Sequence, residues 1–519
     1  MSARQHVGRG PNGSRPVEGE RGGRDVGCLT GAPDQTAWRE LGGRVAVAQA
    51  EIFESVYKRG RTNVTTQVLD APQQRVIDIG SLAEEGTWNA SRKQVLLLCA
   101  LAIVLDGLDN QILGFAIPSM IKEWSVTRSD FAPALALGFV GMTIGTPIGG
   151  VVGDWLGRKV ALIASVFLFG AATFAIAVAH GVGEVGLYRF LAGLGLGGAL
   201  PAATALTAEF TPRRNRSLSV MLGIVCIPIG GMIGGLIAAQ LQPEYGWRML
   251  FVVSGVLPVI VAAVLMFALP ESPQYLLARG ADMERVAKSV RILDQAAAAS
   301  KAFIDRRDVG VERASLTALF TGGFRRTTTA LWIAFFFCLL PVYVLYAWAP
   351  TLLTGKGFDV QTASFGLALF NFGGVGGCIV TGWAIGRYGT RVAILTVAGA
   401  ATFGAVILAS IPLSTETQPL LMALLCIEGF CLLGAQGSLY ALAAHIYPTN
   451  VRSTGVGAAA GFGRAGAIVS AYIGTFALNY GATMFFAVIA FCVAITFIAV
   501  AVIDMHQAAM KAETASSGI

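Results

Sequence analysis

The chain has 519 residues, of which 54% are hydrophobic and only 13% charged, with a formal net charge of +7. A water-soluble globular chain carries roughly 25% charged residues, so this one has too little polar surface to coat a soluble particle, and its apolar excess must face lipid. The basic excess does not point to nucleic acid, because Lys and Arg sit between apolar segments and in the N-terminal stretch.

Residues 1–90 differ in composition from the rest. Segments such as Gly8-Arg-Gly-Pro-Asn-Gly13 and Arg21-Gly-Gly-Arg-Asp25 are polar and rich in Gly and Arg. They cannot bury a core, so a disordered N-terminal extension is predicted there, and no apolar core of a signal peptide interrupts it. Val76-Ile-Asp-Ile-Gly80 begins a short lead of its own. A translation start near Val76 is therefore an expectation that the mass of the mature N-terminus tests.

A spanning helix needs roughly 20 mostly apolar residues, and from about residue 95 the chain supplies twelve such stretches. They are predicted at 95–117, 131–152, 160–180, 184–208, 217–240, 248–269, 330–353, 363–386, 391–411, 418–441, 453–478 and 482–504. The fold class is thus an all-α membrane protein of twelve transmembrane helices in two pseudo-symmetric six-helix bundles, 91–269 and 330–505. A polar central loop, 270–329, joins them, and a short tail, 506–519, follows.

The Gly content, 64 residues, suits close helix packing in a bilayer. Of the eight cysteines, Cys28 is in the extension and the other seven fall in apolar stretches without a CxxC pair. They read as small buried hydrophobes, with no disulfide framework and no metal site.

Loop charges set the orientation. One side carries Arg92, Lys93, Arg158, Lys159, Arg213, Arg214, Arg216, Arg387, Arg391, Arg452 and the basic residues of the central loop; the other carries Lys122, Arg128, Arg248 and Lys356. Both termini and the central loop are therefore expected on the cytoplasmic side of the inner membrane, which requires an even number of spans.

An internal repeat supports two related halves. Gly150 to Leu162 aligns with Gly382 to Ile394, pairing Gly157 with Gly389 and Lys159 with Arg391, while Gly386 stands opposite Asp154. Glu209 to Ser217 aligns with His445 to Ser453, and the same offset pairs Gly193 with Gly429 and Gly198 with Gly434. Six-plus-six repeats are the layout of transporters that alternate access between two bundles.

Several motifs carry a resemblance to a known family. Gly150 through Asp154 to Gly157-Arg-Lys159 resembles the loop signature of the major facilitator superfamily; Arg189-Phe-Leu-Ala-Gly-Leu-Gly-Leu-Gly197 and Pro270-Glu-Ser-Pro273 resemble its fourth-helix and sixth-helix motifs. Asp106-Gly-Leu-Asp109, followed by Asn110-Gln-Ile-Leu-Gly-Phe-Ala-Ile-Pro118, is similar to the first-helix motif of the aromatic acid:proton symporters. Ala347-Trp-Ala-Pro350, Tyr447-Pro-Thr-Asn-Val-Arg-Ser-Thr-Gly455 and Gly463-Arg-Ala-Gly466 point the same way.

The resemblance implies a secondary transporter of 4-hydroxybenzoate- or benzoate-like acids, driven by protons. It also implies a conformational latch at Gly153, Asp154, Gly157, Arg158 and Lys159, with Arg452 as a further member. Two departures stand out. Gly386 replaces the latch Asp in the second half, and Pro228-Ile-Gly-Gly231 partly resembles a drug-antiporter motif. The latter keeps a proton-coupled efflux antiporter as an alternative, beside a membrane sensor that binds the acid without moving it.

Ionisable groups at a helix centre cost at least ~2.5–3.5 kcal/mol and so mark candidate function. Asp106 and Asp109, three residues apart, lie on one face of span one and are candidate proton carriers; the competing reading is a pair with a neighbouring cation. Glu209 and His445 occupy matching positions and are candidate proton relays, or interfacial groups bonded to loops.

Arg189 and Arg464 can hold a carboxylate through two parallel hydrogen bonds; the competing reading is an internal ion pair with Asp106, Asp109 or Glu428. Tyr346, Trp348 and Tyr440 are candidate walls for an aromatic ring, with Phe115, Tyr343 and Phe370 also available, and Asn371 and Gln436 candidate partners of a ring hydroxyl. No Walker-type loop is present, so the expectation is no enzyme, no cofactor and no obligate protein partner: the partners are the acid, protons and the bilayer.

Overall fold

A computed structural model of the chain describes residues 76–300, 302–305, 316–320, 324–448 and 451–506. Of the extension predicted to be disordered over residues 1–90, residues 1–75 lie outside the described residues, as does the tail from residue 507. The described elements belong to one unit, Gln74–Ile519.

In chain order the elements are β1 (Val76–Asp78), α1 (Ile79–Glu85), α2 (Ala90–Trp124), α3 (Arg128–Leu156), α4 (Arg158–Ile176), α5 (Val182–Phe210) and α6 (Arg216–Ala268). The central segment adds α7 (Pro273–Ala278), α8 (Met283–Leu293) and β2 (Ala302–Ile304). There follow α9 (Arg325–Gly355), α10 (Val360–Tyr388), α11 (Thr390–Ser410), α12 (Gln418–Ile446), α13 (Arg452–Asn479) and α14 (Ala482–Val502).

Among the described residues, eleven helices are long and apolar enough to cross a membrane, and one of them counts twice. The 53 residues of α6 would extend about 80 Å at 1.5 Å per residue, against a hydrocarbon core of about 30 Å. Gly246, at φ 74° and ψ 175°, breaks the helix. Such a φ is open to Gly without a Cβ penalty, so 216–245 and 247–268 are separate crossings. The total is the twelve expected, and it puts the start of α2, the central segment and the end of α14 on one side, here termed the loop side.

The duplication read in the sequence is visible in the backbone. Gly157 (φ 102°, ψ 151°) joins α3 to α4, and Gly389 (φ 85°, ψ 164°) joins α10 to α11. The helix ends at Phe210 and Ile446 and the helix starts at Arg216 and Arg452 are related by the offset of the second repeat.

The bundles meet where α2, α3 and α6 face α9, α13 and α10. A Cβ on Gly114 would come within 2.1 Å of the Tyr346 carbonyl, and one on Gly235 within 2.8 Å of the Ala368 side chain. These backbone-close approaches lie in the half of the helices away from the loop side. Nearer the loop side, the Ile224 side chain approaches Gly437.

Residues 76–85, included in the disordered extension on composition, form β1 and α1 instead. Val76–Asp78 pairs in parallel with Ala302–Ile304 of the central segment. The cause is a buried cation that composition could not reveal. The fully buried Arg92 donates from Nη1 to the Ala83 carbonyl at 3.0 Å, and from Nη2 to the Leu82 and Leu293 carbonyls at 2.9 and 3.1 Å. It thereby ties the ends of α1 and α8 to the start of α2. Val286, Val290 and Leu293 of α8 then join Ile79, Val95 and Leu98 in one apolar cluster, so the central segment is part of the first bundle's core.

Replacing this guanidinium takes a charged donor from three carbonyls, although Leu82 keeps the Gly86 N–H at 3.1 Å, and hydrogen bonds to a charged group are worth about 1.5–3 kcal/mol each. Arg92→Ala is expected to lower the thermal unfolding midpoint in detergent and to expose residues 76–89 to limited proteolysis. An unchanged midpoint and cleavage pattern would remove Arg92 from this role.

Candidate functional site

The centre of α2 carries the acids. Asp109 is fully buried. Arg189 of α5 donates from Nη1 to its Oδ2 at 3.1 Å and to its backbone carbonyl at 3.1 Å, and the Thr173 hydroxyl of α4 donates to its Oδ1. Of the two roles expected for Arg189, the structure displays the internal ion pair. Asp106, one turn nearer the loop side, is also buried, but its Oδ1 has no hydrogen-bond partner among the described residues. The charges that act on it are Arg464 and Asp109.

Arg464 lies mid-way along α13 in the other bundle. Its Nη1 donates across the interface to the Met142 carbonyl of α3 at 3.0 Å and to the Thr146 hydroxyl. Its charge also reaches the phenols of Tyr343 and Tyr440. Aromatic edges fill the same interface. Phe139 meets Tyr343 at 4.8 Å, Tyr343 meets Tyr346 at 5.9 Å, and Tyr346 meets Phe370 at 6.0 Å, edge to face at interplanar angles of 67°, 87° and 88°. Tyr440 stands edge-on to Phe335 at 5.1 Å. Edge-to-face rings at such separations add attraction beyond their buried area. An acid on α2, a cation on α13 and phenol-bearing walls on α9 and α12 thus converge between the bundles.

The remaining candidates separate. Asn371 is taken: its amide and that of Gln111 on α2 exchange bonds of 2.7 and 3.1 Å, both residues buried. Gly231 of α6 sits directly against the pair. Trp348 is fully buried against Gly474, its indole N–H without a partner among the described residues. It packs α9 onto α13. Gln436 is half-buried on α12.

Sequence reasoning missed Gln111, Thr146 and Thr173. Gln111, an amide inside an apolar span, was open to the same test applied to the charges. The two Thr residues gave no signal, since hydroxyls in membrane helices usually bond their own helix.

Glu209 groups with residues expected to form a latch. It pairs with Arg158 and accepts from the Ser272 hydroxyl, while Arg158 Nη1 also donates to Ser272 at 2.8 Å. Glu271 accepts from the backbone N–H of Lys159 at 3.1 Å, and Lys159 Nζ donates to the Met266 carbonyl at 2.7 Å. Arg279 holds the Asp154 carbonyl at 3.2 Å. Gly153 is buried above Ala161, and Gly157 leaves no room for a side chain beside Glu271. His445, matched to Glu209 by the repeat, is exposed instead, and Arg452 caps the Tyr447 carbonyl at 3.3 Å. No group of three or more metal-ligating side chains occurs among the described residues.

Comparison with known proteins bears on this arrangement. The family profile described as Major Facilitator Superfamily matches residues 99–471. The 4-hydroxybenzoate transporter PcaK of Pseudomonas aeruginosa is 37% identical over 393 residues, covering 75% of this chain and 86% of that one. The gallate transporter of Pseudomonas putida is 34% identical over 414 residues, 80% and 92% of the two chains. The benzoate transport protein of Acinetobacter baylyi is 29% identical over 409 residues, 76% and 85% of the two chains. Among solved structures, the D-xylose-proton symporter shares the fold with a TM-score of 0.60 at 15% identity, over 79% of this chain and 97% of that one.

The Asp109–Arg189 pair makes a stability prediction. Removing one partner of a buried pair costs about 3–5 kcal/mol, because the other charge is stranded. Asp109→Asn is expected to lower the thermal midpoint in detergent more than the double variant Asp109→Asn/Arg189→Gln does. Additive losses in that double-mutant cycle would show that the two side chains are energetically independent.

Proposed function

The chain belongs to the Major Facilitator Superfamily, among its transporters of aromatic acids, and on that premise we propose that it imports a 4-hydroxybenzoate- or benzoate-like carboxylate together with protons. The observation that carries the reading is the convergence between the bundles of Asp106, which has an unpartnered oxygen, with Arg464 and the phenols of Tyr343 and Tyr440. Arg464 is the group for the acid's carboxylate, held bidentately. The Tyr343, Tyr346 and Tyr440 rings are its walls, and Gln436 is within the same half for a ring substituent.

Proton coupling falls to Asp106, with Asp109 as a second acid that Arg189 and Thr173 hold in place. Importing an anion against the membrane potential costs roughly 2.3 kcal/mol per charge per 100 mV. One proton cancels that cost and a second drives accumulation. The Lys and Arg bias supports a multi-pass inner-membrane protein with its loop side cytoplasmic.

The close approaches in the half away from the loop side support a conformation facing the cytoplasm. Opening the opposite side then separates Gln111 from Asn371 and Gly114 from Tyr346. The cluster of Arg158, Glu209 and Ser272, with Asp154 and Lys159, acts as the cytoplasmic latch, and the repeat gives the second bundle no Asp to match it.

Uptake of labelled 4-hydroxybenzoate into proteoliposomes tests the reading. An inward proton gradient is expected to drive accumulation, with Asp106→Asn abolishing the response to the gradient and Arg464→Gln reducing uptake at least tenfold. Uptake indifferent to the gradient sinks the coupling. Binding without flux identifies a sensor, and acid extrusion stimulated by an inward proton gradient identifies an efflux antiporter.

A further inference from the structure

In the bilayer interior a guanidinium needs acceptors at every stage of a transport cycle, including the stage without cargo. Arg464 finds them on the opposite bundle. Its Nη1 donates to the Met142 carbonyl at 3.0 Å and to the Thr146 hydroxyl, while Asp106 Oδ1 has no partner among the described residues. The Thr146 hydroxyl is arranged to accept. Its own proton goes to the Met142 carbonyl at 2.9 Å, which leaves its lone pairs for the guanidinium. α5 backs this turn of α3 at contact distance: a Cβ on Gly197 would stand 2.3 Å from the Met142 carbonyl and 2.7 Å from the Thr146 nitrogen. The two oxygens therefore cannot withdraw into the first bundle when Arg464 leaves them.

We propose that Thr146, with the Met142 carbonyl, is a stand-in acceptor that occupies Arg464 until the acid's carboxylate displaces it. Thr146 is thus a positioning residue for anion binding, and binding unties α13 from α3. The inference rests on the reading of Arg464 as the anion-binding group. A carboxylate offers two oxygens on one group and adds a full negative charge. It displaces a hydroxyl and a carbonyl, because to bonds the guanidinium already charge-assists it adds the opposite full charge and a planar bidentate fit. The exchange breaks a polar contact between the bundles at the moment cargo arrives, which couples binding to their relative motion.

The consequence is a change in affinity whose sign a purely structural role does not produce. Each acceptor that competes for Arg464 weakens the acid's apparent affinity, so removing one tightens it. In titration calorimetry of the purified protein with 4-hydroxybenzoate, Thr146→Val is expected to bind about three- to tenfold more tightly than the parent, the equivalent of one modest hydrogen bond. Thr146→Ser, which keeps the hydroxyl, is expected within about twofold of the parent. Thr146→Ala, which introduces no new bulk, should shift in the same direction as Val, and serves where Val lowers the thermal midpoint.

Affinity that is unchanged or weakened in both Val and Ala variants overturns the proposal. Failure of the underlying reading looks different: the parent protein then binds no aromatic acid, or Arg464→Gln binds it as well as the parent does.

Discussion

A carboxylate and a guanidinium at the centre of a membrane bundle stabilise each other when paired, and the Asp109–Arg189 pair, with Thr173 on the other carboxylate oxygen, does so inside the first bundle. It joins α2 to α5 and α4 at mid-depth and so fixes the rotation of α2 about its axis. That rotation decides where the residue one turn away points. Asp106 is left with an unpartnered oxygen in the field of a cation from the other bundle. The same pair fixes α5. Its glycines lie on α3 at backbone contact distance, so the turn bearing Met142 and Thr146 is presented toward α13. The rest of the central site follows from this one buried pair.

The second bundle has no equivalent. α9 carries no acidic residue, and the repeat puts Leu425 opposite Arg189 and Pro228 opposite Arg464. At the interface each half therefore presents one ionisable group that its own helices do not pair, Asp106 in the first and Arg464 in the second. The duplication built two similar scaffolds, and divergence made their charges complementary. The proposed site for an anion and a proton therefore lies between the bundles, where these two groups face the same interface. Glu428 is a different case. Buried beside Gly404 of α11, with neither carboxyl oxygen partnered among the described residues, it lies away from this interface.

Much of the frame was legible in the sequence, because its determinants are local. Apolar length gave each span, the Lys and Arg bias gave their parity, and the repeat offset gave the shared helix ends at Phe210 and Ile446. Hydropathy even separated the two crossings that run together in α6, since polar residues around Pro243 and Gly246 lower the apolar signal there. The partnerships were not legible, because they join distant points. Gln111 meets Asn371 across 260 positions and Thr146 meets Arg464 across 318. Nothing near Asn371 in sequence indicates that its amide is already engaged, and nothing near Glu209 indicates that Arg158 and Ser272 converge on it. The order in residues 76–85 was hidden for the same reason, since its anchors are Leu293 and Ala302, over 200 positions away.

The placement of strong and weak contacts has its own logic. The close contacts between full charges at mid-depth and at the loop side each stay inside one bundle: Asp109 with Arg189 and Arg158 with Glu209 in the first, Arg326 with Asp504 in the second. Between the bundles the polar contacts join a charge or an amide to neutral partners: Gln111 with Asn371, and Arg464 with a carbonyl and a hydroxyl. Around them stand aromatic edges and glycine backbones. A buried ion pair is costly to separate, because each charge would be stranded in a low dielectric, whereas a neutral amide pair can exchange its bonds for water at modest net cost. Rigid bundles need the first kind of contact and an interface that must part needs the second. A direct Asp106–Arg464 ion pair would stiffen the one surface that has to open, and leaving Asp106 Oδ1 unpartnered while Arg464 rests on neutral oxygens keeps both charges available for exchangeable ligands.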